Sequence, residues 1–193
     1  MTGAGRLSQG GKTVKTLLLI LGLFVAIPQV AQSEETSLKE SDVTSSLNQY
    51  LWDSARHGDI EILQTFITSH YNLNVADEKG YTAVILAAYH GHDAAVEALI
   101  KAGADPCLRD ARGNTALMGA VFKGEIKIAR RLIAAECNPD ERNHAGQTAA
   151  MYASLFQRSE LLKALKEKGA DFEIKDANGN SVETLKKGEF TTR

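Results

Sequence analysis

Three prolines and 6% aromatic residues leave little scope for a Pro-rich or aromatic-rich recognition domain. A formal charge of −2 is too small to point to nucleic acid as a partner. The chain carries no Gly-rich phosphate loop, and no Ser, His and Asp spacing suited to a nucleophile. It has a single long apolar run, with no second stretch long enough to span a bilayer. Against these absences stand 193 residues, 44% of them hydrophobic, enough to build one domain or a short repeat array and an argument against general disorder.

The apolar run, Leu17 to Ile27, follows Arg6, Lys12 and Lys15 and precedes Pro28 and the segment Val30-Ala31-Gln32-Ser33. A basic end, an apolar stretch of about a dozen residues and small residues at the cut make the layout of a secretory signal peptide over residues 1–33. The expected cut precedes Glu34; the alternative is a leader kept as an N-terminal membrane anchor. Removing 1–33 takes three of the 22 basic residues and none of the 24 acidic ones, leaving a net charge of −5. Residues 34–46 are polar and rich in Ser and Thr, and read as a flexible linker.

Beyond the linker the chain repeats itself. Gly80-Tyr81-Thr82-Ala83, Gly113-Asn114-Thr115-Ala116 and Gly146-Gln147-Thr148-Ala149 superimpose without gaps at intervals of 33 residues. Gly58, Gly91 and Gly124 hold the same interval, as do Asp77 and Asp110. Each Thr follows a glycine turn and precedes an Ala-rich stretch, the place of a helix N-cap. Small pairs such as Ala87-Ala88 and Ala120-Val121 let neighbouring helices approach closely. After the next glycine come apolar residues at helical spacing: Ala95, Val96, Leu99 and Ile100, then Ile128, Ala129, Leu132 and Ile133. Each unit is therefore a helix, a turn, a second helix and a loop, and none can bury its apolar side without a neighbour.

With these residues in view the chain resembles the ankyrin family, through Asp77-x-x-Gly80-x-Thr82, Ala87-Ala88, Gly91-His92, Leu99-Ile100 and Gly103-Ala104-Asp105. The resemblance implies an all-α solenoid of stacked helix pairs with hairpin-like loops projecting to one side. Its expected extent is 47–190: an N-terminal capping unit 47–76, repeats 77–109, 110–142 and 143–175, and a partial C-terminal cap 176–190. Where the family usually has Pro and Leu-His after the Thr, this chain has Ala116-Leu117-Met118 and Ala149-Ala150-Met151, which looks like bacterial ankyrin sequences and fits a periplasmic address. In the third unit Glu136-Cys137-Asn138 replaces Gly-Ala-Asp, so a less regular turn is expected there.

Five histidines are the candidates for metal or acid–base chemistry. His90 and His92 bracket Gly91, but a metal would need further ligands converging on the pair. The register puts His92 at the start of an outer helix, where the family often packs a structural His, and His90 on the concave side. No metal, cofactor or catalytic residue is expected, and the chain reads as a non-enzyme. Cys107 and Cys137 are 30 residues apart on adjacent units. Packed helices lie roughly 8–10 Å apart, whereas bridged Cα atoms are usually within about 7 Å, so both are expected as free thiols.

Ankyrin proteins generally bind other proteins through loop tips and the exposed side of the first helix of each pair. The register carries this onto Arg56 and His57, Tyr89 and His90, Phe122 and Lys123, and Leu155 and Phe156 on the helices. On the loops it selects Lys79 and Tyr81, then Arg109, Arg112 and Asn114, then Arg142 and His144. Tyr89, Phe122 and Leu155 are spaced by 33 and should form a ladder across the stack; a place at the edge of the core is the competing reading. Seven basic residues of the face, Lys175 included, suggest a protein partner with an acidic surface, bound by a monomeric chain.

Overall fold

The computed structural model describes residues 29–189 and 191. The leader expected over 1–33 therefore lies almost wholly outside the described residues. Among the described residues no helix is long and apolar enough to cross a membrane. The chain divides into two units, 1–45 and 46–193.

The first helix, α1, is Gln29–His57. It includes residues 34–46, so the expectation of a flexible linker is corrected. Glu34, Glu35, Leu38, Lys39 and Glu40 are straight-chain helix formers, and they outweigh the Ser and Thr content. In the second unit, α1 reaches the first turn with Leu51 and Ala55 fully buried and is followed by α2, Ile60–Thr68.

Four further pairs or part-pairs follow in the expected register. Inner helices are α3 Ala83–Tyr89, α5 Ala116–Lys123 and α7 Ala149–Leu155; outer helices are α4 Asp93–Lys101, α6 Ile126–Ala134 and α8 Ser159–Glu167. A last inner helix, α9 Val182–Lys187, closes the array. Inner helices pack on inner and outer on outer, and each pair packs on itself. The inner helices are only two turns long, too short to persist alone in water, so their stability comes from stacking.

The inner helices are set by the threonines. Thr82, Thr115 and Thr148 accept hydrogen bonds from the backbone N–H groups of Ile85, Met118 and Met151, all at 3.3 Å. Ser181 does the same for Thr184 in a reciprocal capping box. The small residues behave as their size dictates: Ala87, Ala88, Ala120, Val121 and Ala153 are fully buried between neighbours. Leu63, Leu99, Ile128, Leu161 and Leu165 fill the space between the helix layers.

The loops are as regular as the helices. Asp77, Asp110, Asn143 and Asp176 each accept two backbone N–H groups of their own turn, such as Lys79 at 2.9 Å and Tyr81 at 2.8 Å for Asp77. Successive tips are joined by Ala111 N–H to Lys79 C=O, His144 N–H to Arg112 C=O and Ala177 N–H to Ala145 C=O, at 2.8–2.9 Å. Gly80 has no alternative at its tip: with φ at 78°, an added Cβ would sit 2.5 Å from the Ala111 nitrogen.

Cys107 and Cys137 form a disulfide, with Cα atoms 5.4 Å apart, which corrects the expectation of free thiols. The spacing of packed helices was the wrong ruler. Both cysteines lie in the loops that follow the outer helices α4 and α6, outside any helix. Adjacent loops of the stack touch one another directly, closer than the helix axes do. The turn after α6 is irregular as expected: its end residue Ala135 is extended, with ψ at 158°, where Ala102 after α4 has ψ at 3°.

Candidate functional site

At the C-terminal ends of the inner helices two members of the expected ladder, Tyr89 and Phe122, meet. Tyr89 and Phe122 stack with ring centres 6.4 Å apart and planes 11° from parallel. Phe156 meets Phe122 edge to face at 5.3 Å. Tyr89, Phe122 and Leu155 are 40%, 47% and 37% exposed, so each presents part of its side chain to solvent while the rest covers the stack beneath. Their backbones sit on helices whose other faces are buried alanines, which fixes the rings in a row. Lys123 Nζ lies 5.1 Å from the centre of the Tyr89 ring, a cation–π contact at the rim.

Tyr152 belongs to this cluster and was missed by register. It lies 6.5 Å from Phe156 in a near-parallel stack and meets Phe122 edge-on at 6.4 Å. Its hydroxyl donates to Gln147 Oε1 at 3.0 Å and accepts from Asn143 Nδ2 at 3.2 Å. Burial pushes this phenol above its usual pKa. The preceding units carry Gly119 and Leu86 at the same position, so an aligned repeat offered no surface signal there.

At the N-terminal side of the row stand the histidines. His92 occupies the N-cap position of α4, its ring beneath Gly58 and its Nε2 2.9 Å from the Arg56 carbonyl oxygen, which is the structural packing expected of it. His90 is exposed on the concave side, with its ring 5.5 Å from Tyr89 and 6.5 Å from His92. Burial, and then the charges of Arg56, His92, Lys123 and His57, hold its pKa below the ordinary histidine value. His57 Nδ1 is 2.7 Å from the Asp53 carbonyl oxygen. Among the described residues no three His, Cys, Asp or Glu side chains gather where a metal could be held.

The basic residues divide into two groups. Arg56 is paired with Asp53, and Arg109 with Glu141 at 3.2 Å. Arg109 also reaches the Arg142 carbonyl at 3.5 Å, while Arg142 donates to the Gly146 and Lys175 carbonyls at 3.1 and 2.8 Å. Arg109 and Arg142 thus tie loop to loop, while Arg56 pairs within α1. Among the described residues Lys79, Arg112 and Lys175 are exposed cations without an ion-pair partner. Asn114 is held by its own turn, donating to Asp110 and accepting from Asn143 Nδ2 at 2.9 Å. Tyr81 is half-buried and His144 exposed at the tips. A separate group of exposed apolar side chains, Leu47, Tyr50, Ile60 and Ile62, lies on the N-terminal capping unit 47–76.

The surface thus offers an exposed aromatic row on short rigid helices, bordered by a row of hydrogen-bonded loop tips.

Comparison with known proteins agrees with this architecture. A 42-residue stretch is 48% identical to the human Espin-like protein, covering 22% of this chain and 4% of that one. The chain thus matches only a small fraction of that relative's length. The family profile described as "Ankyrin repeats (3 copies)" matches residues 51–143 and 94–176. With the 33-residue register, the capped helix pairs and a profile match over most of its length, the chain belongs to the ankyrin-repeat family.

Proposed function

We propose that this chain is a non-catalytic protein-binding module of the bacterial periplasm, a scaffold, inhibitor or helper that holds its partner on the concave face and loop tips. The observation that carries the reading is the stacked pair Tyr89 and Phe122, exposed to solvent at the ends of packed inner helices, with half-buried Phe156 set edge to face against Phe122. Aromatic side chains held rigid and exposed are the groups from which interface hot spots are built. Lys79, Arg112 and Lys175 favour an acidic partner surface and a monomeric binder facing it. The periplasmic address is supported by the leader pattern in residues 1–33 and by the disulfide, which suits an oxidising compartment. A leader retained as a membrane anchor is the second reading, and N-terminal sequencing of the exported product separates the two.

The test is capture from periplasmic extract with residues 34–193 as bait, beside the same bait carrying Tyr89→Ala, Phe122→Ala and Phe156→Ala. A partner should be retained by the first and lost, by roughly tenfold or more in affinity, from the second, with unchanged helical circular dichroism. Equal retention by both baits sinks the concave-face reading.

A further inference from the structure

The position of the disulfide within the repeat register gives it a role. At the joint between the capping unit 47–76 and repeat 77–109, Asn74 Oδ1 accepts the Asp105 N–H at 2.8 Å. At the joint between repeats 110–142 and 143–175, Asp140 Oδ1 accepts the Asp171 N–H at 2.9 Å. Asn74, Cys107 and Asp140 are 33 residues apart, as are Asp105, Asn138 and Asp171. At the central joint, then, the clamping side chain is Cys107 and the waiting donor is Asn138 N–H. Among the described residues no side chain makes the equivalent bond to that N–H. Cys107 is joined instead to Cys137, the residue just before it, which stands where the other units bury Ala104 and Ala170. The covalent bond replaces a hydrogen-bond clamp that the joints on either side retain.

A thiol is a weak acceptor, so a reduced Cys107 supplies neither clamp. Both cysteines are half-buried loop residues rather than core residues. The joint they close lies between the units that carry Tyr89 and Phe122, and Cys107 is two residues from Arg109, which ties the tip row to Glu141 and Arg142.

We propose that Cys107–Cys137 is a thiol–disulfide exchange site, with a dithiol reductant as co-reactant, that sets how firmly the central joint of the loop row is held. A thiolate of the dithiol attacks one Sγ, the S–S bond breaks and the other cysteine leaves as a thiolate that takes up a proton. The reductant's second thiol resolves the mixed disulfide. Two electrons and two protons pass to the protein, which ends with two thiols, and the reductant ends as a disulfide. Reduction loosens residues 102–109 and 135–142 only. The outer-helix ion pairs of Arg131 with Asp93 and Glu97, and the Tyr89–Phe122 stack, do not depend on sulfur and hold the helices in place. Any consequence for partner binding rests on the concave-face reading; the change in the joint does not.

Hydrogen exchange read by mass spectrometry on the full chain, oxidised and then reduced with dithiothreitol, tests this without a partner. Exchange in 102–109 and 135–142 should rise roughly fivefold or more on reduction, about the worth of one hydrogen-bond clamp, while α3 and α5 keep their protection. Cys107→Ala with Cys137→Ala should show the reduced pattern under both conditions. Cys107→Asn with Cys137→Ala, which writes in the residues of the neighbouring joint, should restore protection and abolish the response to reductant. Unchanged exchange on reduction overturns the proposal, as does an Asn variant that exchanges as fast as the Ala variant. Exchange rising in every helix overturns it too, because the bridge would then be a staple for the whole fold.

Discussion

Gln157 stands at the inner-helix exit that glycine occupies in the three preceding units, and it adopts their left-handed backbone, with φ at 55°. His70 does the same, with φ at 54°, at the exit of the first outer helix, where Gly103 and Gly169 serve other units. A side chain in this conformation costs roughly 1–2 kcal/mol, partly offset because glycine would free the unfolded chain. Gln157→Gly is therefore expected to raise stability by about 0.5–1 kcal/mol, seen as a higher urea midpoint at unchanged slope. A lower midpoint would mean that the Gln157 side chain makes a contribution larger than its backbone strain. In the register Gln157 follows Gly58, Gly91 and Gly124 at intervals of 33, whereas His70 shares its series with Gly103, Glu136 and Gly169.

At the scale of elements, the outer helices are cross-tied by charge. Arg131 of α6 donates to both carboxylate oxygens of Asp93 at 3.0 Å and to Glu97 of α4 at 3.0 Å; Lys127 adds a third tie to Asp93 at 3.0 Å. Arg130 of α6 pairs in turn with Glu160 of α8. The Arg131 hydrogen bonds hold the Asp93 carboxyl below its ordinary pKa, and Lys127 adds to the effect. The folded carboxylate thus binds its proton less readily than the unfolded one. Its stabilisation is complete above the unfolded aspartate pKa of about 4 and is lost as pH falls through the lower folded value. Arg131→Met should cost about 1 kcal/mol at pH 7, with the gap from the unmodified chain closing as pH falls below about 4. Denaturant midpoints at pH 7 and pH 3 measure it; a gap that is the same at both would assign the loss to packing. None of these pairs shows in the sequence as a pattern, because they join residues 30 to 38 apart whose charges differ from unit to unit.

For the repeat array as a whole, the ends decide persistence. At the C-terminal end α9 covers α7: Val182 is 3% exposed, and Ser154 Oγ donates to the Val182 carbonyl at 2.6 Å. The chain then turns back, and Thr191 bonds Asn180 through its N–H at 2.9 Å and its hydroxyl at 2.7 Å. Removing residues 176–193 would open the apolar side of α7, including Met151 and Ala150, to water. That truncation is expected to cost on the order of 3 kcal/mol and to start unfolding from repeat 143–175. Circular dichroism in urea measures the first and hydrogen exchange in α7 and α8 the second. An unchanged midpoint would show that the cap is dispensable.

The period of 33 was sufficient, without any structure, to determine the helix pairs, their caps, the loop aspartates and the exposed places of Tyr89 and Phe122. Those features depend on local spacing: a threonine three residues before a backbone N–H, an apolar stripe every three or four positions, an aspartate two residues before the turn N–H that donates to it. Tertiary structure alone decided the disulfide, the role of Tyr152 and the use of Arg109 and Arg142 as ties between loops. These arise from distances between units, and repetition in sequence reports order along the stack without reporting how closely two loops approach. Cys107 and Cys137 show the reason plainly. Thirty residues separate them in the chain, while the stacking of one loop on the next brings their Cα atoms to 5.4 Å.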